Sequence, residues 1–435
     1  MKKILHIVHC IDTEGPLTED LDATFERLKN IFKIELEPTK ENLEKIQSGN
    51  IVHEKKNDIM KVFSKELLKY NNSWKDIDVM LDYCMSSDFR NSMQDDFGQG
   101  WIYSWHCMDH AGYKDNPRRK DTGFGNVFKF YQNKISETNS NHDEINWHFH
   151  PLSFDRNPLK AATSYYNSMD ILLEVICRRV IEERWYPATN RPGFHSERPD
   201  SHLFLEQWIP FDYANQRYDY DDGQEDLIEG RFGDWRRAPK SWCGYHPSIW
   251  DYQAEGNCKR VIFRCLNVGT RFNLLTEKHV REAFEDANVN GKAILAFADH
   301  DYRDIAPDVQ YIQKLINDVK NEYPDVKVKF SGATEAARDL KNYNINHEEI
   351  KTQSYIKGNK LIIDIIKGEL FSSQPFLALK DKSGHYYHDN LDVIDFGNKY
   401  QYVFDDQTLK LDSIDKIGIA SVDRLGFTDI NIINL

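Results

Sequence analysis

Two apolar stretches of the chain run directly into clusters of acidic and imidazole side chains. Ile7-Val8-His9-Cys10-Ile11 delivers Asp12-Thr13-Glu14-Gly15, and Ile294-Leu295-Ala296-Phe297-Ala298 delivers Asp299-His300-Asp301. Such runs read as buried strands, and in parallel α/β proteins the groups that do chemistry project from the C-terminal ends of strands. The two clusters, far apart in sequence, are therefore candidates for one site.

The remainder of the chain alternates strand and helix patterns. A first strand over residues 3–11 is followed by a polar segment from about 17 to 78. There Ile59, Val62, Phe63, Leu67 and Leu68 recur at helical spacing, which marks an inserted helical region. Residues 101–110 are aromatic-rich and strand-like, 114–122 read as a charged loop with Gly123 and Gly125 behind it, and 127–135 as a helix. Residues 144–150 alternate, with Ile145, Trp147 and Phe149 on one face and Asn146, His148 and His150 on the other, until Pro151 stops the run. An amphipathic helix over 169–182, a Pro/Gly loop over 191–200, a strand over 261–265, a helix over 276–288, a strand over 293–298 and a helix over 308–322 follow. This alternation indicates a parallel α/β sheet or barrel.

Beyond about residue 345 helical periodicity ceases. Short strand-like runs at 360–366, 376–379, 400–404, 416–419 and 429–433 are bounded by turn residues. The expected organisation is an α/β domain over 1–344 and a small all-β domain over 345–435. No internal repeat is evident.

Spacing inside the strands carries the chemistry. In Asp12-x-Glu14 the carboxylates share one face of an extended backbone, about 7 Å apart. One could bind a metal while the other takes a proton from water. The same Asp-Thr-Glu-Gly-Pro stretch could also simply close a strand and cap a helix. His148-Phe149-His150 has the same spacing, so both imidazoles can converge on a divalent ion with Glu14 as third ligand, leaving open positions for water and a substrate oxygen. Packed beside Trp147, the pair also fits a purely structural role. His106-x-x-x-His110 with Asp109 would make a second metal pair on a helix, but its surroundings read as strand and loop. His195 and Glu197 are close enough to Arg191 to reach a site there, and Asp301 could pair with His300 if the strand bends.

Composition narrows the partners. Lys+Arg 56 against Asp+Glu 70 gives a net charge of -14, and no long basic run offers a footprint for phosphate backbones, so nucleic acid is not expected. No apolar run reaches about 18 residues, so no membrane span is expected. The N-terminal apolar stretch is too short and too interrupted by His for a signal segment and reads as the first strand. Seven scattered cysteines without a C-x-x-C pair point to reduced thiols and a cytoplasmic protein. Nine Trp and 22 Tyr suit a surface on which sugar faces stack, and suit aromatic core packing at least as well.

Asp12-Thr13-Glu14-Gly15-Pro16 resembles the first motif of the polysaccharide deacetylase (NodB-homology, carbohydrate esterase 4-like) superfamily. Glu144-Ile145-Asn146-Trp147-His148-Phe149-His150-Pro151 resembles its metal-binding His motif and Arg191-Pro192-Gly193-Phe194 its third motif. Leu205-Glu206 through Phe211-Asp212-Tyr213 is similar to its next stretch, and the strand ending in His300 to its last motif. Order and spacing agree over roughly residues 4–340. The family's common form has two adjacent aspartates, a wider His spacing and Tyr in place of Phe194. A WbmS-like branch from O-antigen and capsule gene clusters is the most similar.

The resemblance implies a deformed (β/α) barrel with Glu14, His148 and His150 around a divalent metal, zinc above all. It implies Asp12 as general base, Arg191 orienting it, His300 as general acid, and a backbone N–H near Phe194 holding the oxyanion. Trp235, Trp242 and His246 fall where the family builds its substrate wall, and with Phe194 of the third motif and His195 just after it they are the expected substrate-binding residues. The expected activity is hydrolysis of an amide on an acylated amino sugar, deacetylation or deformylation, during surface-polysaccharide synthesis, with a small sugar or oligosaccharide as substrate. Hydrolysis of another bond on a related barrel and a catalytically silent carbohydrate-binding protein are the competing readings.

Overall fold

The structure, a computed structural model, describes residues 2–112, 122–123, 125–156, 165–219, 233–271, 274–341 and 347–435. Residues 114–121 of the expected charged loop and the expected boundary at 344/345 lie outside the described residues.

β1 (Lys3–Thr13) leads into a helical insertion made of α1 (Leu21–Phe32), α2 (Lys40–Gln47), α3 (Lys56–Val62), α4 (Trp74–Cys84) and α5 (Ser87–Arg90). The side chains of Asp20, Thr39, Ser73 and Ser86 cap α1, α2, α4 and α5 respectively, each accepting from a first-turn backbone amide. Phe25, Leu28, Ile46, Ile59, Val62 and Phe63 give the insertion a small core of its own. It runs beyond residue 78, and the next strand starts only at Ser104.

There follow β2 (Ser104–His110), α6 (Asn126–Glu137), β3 (Glu144–His150), α7 (Met169–Glu183), β4 (Thr189–Asn190), α8 (Pro199–Trp208) and β5 (Phe211–Asn215). A short hairpin of β6 (Pro247–Ser248) and β7 (Asp251–Glu255) precedes β8 (Val261–Asn267), α9 (Glu277–Asn290), β9 (Lys292–His300), α10 (Ala306–Lys320), β10 (Val326–Phe330) and α11 (Ala333–Leu340). The fold is mixed α/β. Strands β1, β2, β3, β4, β5, β8 and β9 pair in parallel in that order, and β9 returns to β1 to close the barrel. β10 and β2 share one edge of β1: Lys3–Ile7 pair with β10, and Cys10–Thr13 with β2.

Strand alternation divides the apolar residues between the two sides of the wall. Val8, Cys10, Tyr213, Phe263, Cys265, Ile294, Ala296 and Ala298 fill the interior, where Ala333, Ala336 and Ala337 of α11 join them. Leu5, Ile7, Leu295 and Phe297 face outward into a larger core with Phe284 of α9 and Ile312 and Ile316 of α10. Sequence reading does not anticipate α8, β5, β10 or α11.

From Lys351 onward the chain forms two four-stranded antiparallel sheets. β11 (Lys351–Lys357), β12 (Lys360–Lys367), β16 (Lys399–Val403) and β15 (Asp392–Asp395) make one. β14 (Tyr386–Asp389), β13 (Phe376–Asp381), β17 (Ile414–Val422) and β18 (Thr428–Asn434) make the other. Leu361, Ile363, Leu377, Leu379, Tyr400, Ile417 and Ile419 pack into one cluster drawn from both sheets. No described helix is long and apolar enough to cross a membrane, and all seven cysteines are free.

Candidate metal centre

Side chains from β1, β3, β4 and β9 converge at the C-terminal mouth of the barrel. Asp12 lies at the end of β1 and Glu14 just beyond it; His148 and His150 close β3, Arg191 follows β4, and His300 closes β9. In the ladder Asp12 lies beside His106 of β2 and His300 of β9, so alternation turns these three side chains the same way. His148 and His150 lie beside Met108 and His110 in the same phase.

Glu14, His148 and His150 are buried, and their ligand atoms all lie within 4.8 Å of one another. Glu14 Oε1 is 3.4 Å from His150 Nε2 and 3.8 Å from His148 Nε2, and the two Nε2 atoms are 2.8 Å apart. His148 has its tautomer set from behind. Its Nδ1 lies 2.7 Å from the Arg191 carbonyl oxygen, which only accepts, so Nδ1 carries the hydrogen and Nε2 presents a lone pair. A carbonyl behind the imidazole and a lone pair in front is how metal-ligating histidines are held. Two imidazoles and a carboxylate aimed at one buried point make a group that could hold a metal ion.

Asp12 stands beside this trio. Its Oδ1 accepts from Arg191 Nε at 2.7 Å and lies 3.7 Å from His148 Nδ1, while its Oδ2 is 3.7 Å from His300 Nε2. Arg191, fully buried, also donates to the Tyr213 carbonyl at 2.9 Å and to His195 Nε2 at 3.3 Å. Burial alone would push the Asp12 carboxyl up. The Arg191 guanidinium, helped by His148 and His300, more than offsets this and holds it well below the usual carboxylate range. Asp12 is thus an anion whose second oxygen faces the mouth.

His300 is the most open member of the group, with 16 % of its side chain exposed against 4 % for Asp12. Its Nε2 lies 3.8 Å from Glu14 Oε1, and its Nδ1 has no hydrogen-bond partner among the described residues. Burial pushes the imidazole well below its ordinary range; Asp12 opposes this, and Arg303 and Arg191 reinforce it.

Phe194 and His195 occupy a 3-10 turn over Gly193–His195, both in the left-handed region, at φ 55 and φ 51. Each such non-glycine residue costs about 1–2 kcal/mol, so the surroundings must hold the turn. Trp235 Nε1 donates to the His195 carbonyl at 2.8 Å. The Phe194 ring meets His150 edge-on at 4.9 Å, so this residue lines the site.

Several expected site residues lie elsewhere. Trp235 is buried behind His195 and supports it rather than lining the mouth. Trp242 is buried in the outer core, with Arg264 stacked 4.6 Å over its ring, so it faces away from the site. His246 Nδ1 donates to the carbonyls of Cys258 and Arg260, and its Nε2 accepts from Lys341 at the end of α11. That is the opposite end of the barrel from Asp12. Glu197 is fully buried in an ion-pair network with Arg260, which also reaches Asp212 at 2.7 Å and His202 at 2.6 Å. Asp301 accepts from the amides of Glu14 and Gly15 and from the Tyr131 hydroxyl. His106 and His110 are on a strand, and Asp109 turns the other way to Arg179.

Two residues to which the sequence assigns no site role also reach the site. Tyr302, in the turn just after His300, lays its ring against the imidazole with centroids 4.7 Å apart and planes tilted by 33°. Tyr213 holds Arg191 through its carbonyl. Tyr302 has no local signal because it stands in the turn beyond β9, and Tyr213 contributes a backbone carbonyl, which any residue carries. No known protein family, curated protein or solved structure matches the chain.

Proposed function

We propose that the protein is a metal-dependent amide hydrolase of the polysaccharide-deacetylase type that removes an acyl group from the nitrogen of an amino sugar. The observation that carries the reading is the convergence of a two-His, one-carboxylate group with the Arg191-bound Asp12 and the open His300 at one barrel mouth. A divalent ion held by Glu14, His148 and His150, zinc by preference for this donor set, would supply a Lewis acid for the amide carbonyl and a more acidic water.

The chain's own residues supply the proton handling. Asp12, kept ionised by Arg191, accepts the proton of the attacking water at Oδ2, the oxygen that Arg191 Nε leaves free. His300 Nε2, near the same oxygen, delivers a proton to the departing amine. Because its resting imidazole is held neutral, His300 becomes the donor by taking over the proton that Asp12 has accepted from water at the nearby Oδ2, and it passes that proton to the amine as the C–N bond breaks. Half-buried Phe194 and Tyr302 flank the group as rings on which a sugar face can rest.

The test separates binding from chemistry. His148→Ala and His150→Ala are expected to lose bound metal by elemental analysis. Asp12→Asn is expected to keep it and lose about 10²–10⁴ in turnover on N-acylated amino sugars. Full metal content in both His variants removes the metal assignment. Wild-type turnover in metal-loaded Asp12→Asn moves the reading to a different hydrolytic mechanism.

A further inference from the structure

Glu14 lies one residue past the end of β1, so the strand ladder does not fix it. Gly15 follows at φ 71, with the Trp74 ring of the insertion only 3.0 Å from where a Cβ would stand. Something other than strand pairing must hold the carboxylate toward the two histidines. The Asp301 side chain does so from the turn after the neighbouring strand β9. Its Oδ1 accepts from Glu14 N at 2.8 Å, its Oδ2 from Gly15 N at 3.0 Å, and Tyr131 of α6 donates to Oδ2 at 2.9 Å.

Asp301 itself sits in the turn that follows His300, and Asn71 of the insertion grips that turn at three points. Asn71 Nδ2 donates to the carbonyls of Asp301 at 2.8 Å and Arg303 at 3.2 Å, and Asn71 N donates to the Tyr302 carbonyl at 2.8 Å. The Asn71 carbonyl accepts from Leu17 N at 3.0 Å, on the loop that carries Glu14 away from β1. Asn71 therefore joins the segment after β1 to the segment after β9. Nothing in the ladder makes that connection, since the β1–β9 pairing ends at Asp12 and His300.

We propose that Asn71 is a positioning residue for the metal group, and that the helical insertion serves to set Glu14 and His300 through Asn71 and Asp301. The inference rests on the metal-site reading above. It gives the insertion a task beyond covering the barrel: loss of the stitch leaves the two histidines of β3 in place but frees the carboxylate that completes them. Outer residues that orient metal ligands typically contribute about 10–100-fold to metal affinity.

The experiment measures cobalt(II) binding by chelator competition, with the visible spectrum of the cobalt protein as a second readout. Asn71→Ala removes the side-chain donors; Asp301→Asn keeps volume but turns an amide toward donors. Both are expected to keep the wild-type far-UV circular dichroism, bind cobalt about 10–100-fold more weakly and show a shifted ligand-field spectrum. Folded variants with wild-type affinity and spectrum overturn the inference while leaving the metal reading intact. Unfolding of both variants overturns it too, by making the stitch a general stability element. A wild-type protein that binds no cobalt sinks the metal reading, and this inference with it.

Discussion

His106 shows what burial does to a histidine at the barrel mouth. Both of its ring nitrogens are without a hydrogen-bond partner among the described residues, and burial, opposed by Asp12, pushes its pKa down to about 3. The same cause lowers His110 to about 3 and holds His195 well below its ordinary range. An unfolded histidine titrates near ~6.5, so below that pH the unfolded chain takes up protons that the folded chain refuses. His106 therefore leaves stability undiminished above ~6.5 and erodes it as pH falls toward about 3, by up to about 1.4 kcal/mol per pH unit. Urea unfolding of chelator-treated protein between about pH 7 and about pH 5 should show this slope, and His106→Gln should flatten it by roughly one histidine's share. An unchanged slope would mean that the ring is protonated in the folded state.

At the scale of elements, one strand does two jobs at its two ends. β3 begins with Glu144, whose carboxylate accepts from Thr334 N at 2.7 Å and Glu335 N at 2.9 Å in the first turn of α11, and it ends with His148 and His150. Gly332 leaves the room that this requires, since a Cβ there would collide with the Glu144 carboxylate. Glu144→Ala strips two first-turn amides of their partners and should cost about 1–3 kcal/mol in denaturant unfolding, with metal content unchanged. Loss of metal would mean that the register of β3 depends on this cap. Glu144 entered the sequence reading only as the start of a metal motif. α11 spans only eight residues, Ala333–Leu340, and its buried face is built from Ala333, Ala336 and Ala337, too short a run to stand out in the sequence. β4 has two residues and β5 carries Asp212 and Asn215, so neither has an apolar run; each is a strand because its neighbours pair with it.

At the scale of the whole molecule, the C-terminal sheets lean on α7. Leu172, Ile176, Cys177 and Val180 of that helix share one apolar cluster with Phe376 and Ala378 of β13 and Ala420 of β17. Tyr386 of β14 hydrogen-bonds Glu182 and carries Arg178 at 4.3 Å over its ring. Residues 1–344 alone would expose that face of α7, so the fragment should bind a hydrophobic dye and melt below the full chain, and the full chain should melt in one transition. Two well-separated transitions would show that the β sheets fold independently.

Local backbone geometry was enough to pair His148 with His150, because side-chain direction in an extended chain depends only on the parity of positions; Glu14, one residue past the end of β1, is held beside Asp12 by the Asp301 carboxylate instead. The carboxylates do converge, 3.7 Å and 3.8 Å from the same His300 nitrogen. Alternation marked β3, continuous apolar runs marked β1 and β9, and short turn-bounded runs marked the change beyond residue 345. Which strand ends meet was decided by barrel closure, a matter of strand order and register that no local pattern encodes. Closure brought Arg191 onto Asp12, turned Trp242 outward and left His246 at the far end. It also placed Asn71, which has no motif around it, between two loops on adjacent strands that Asp301 joins as well.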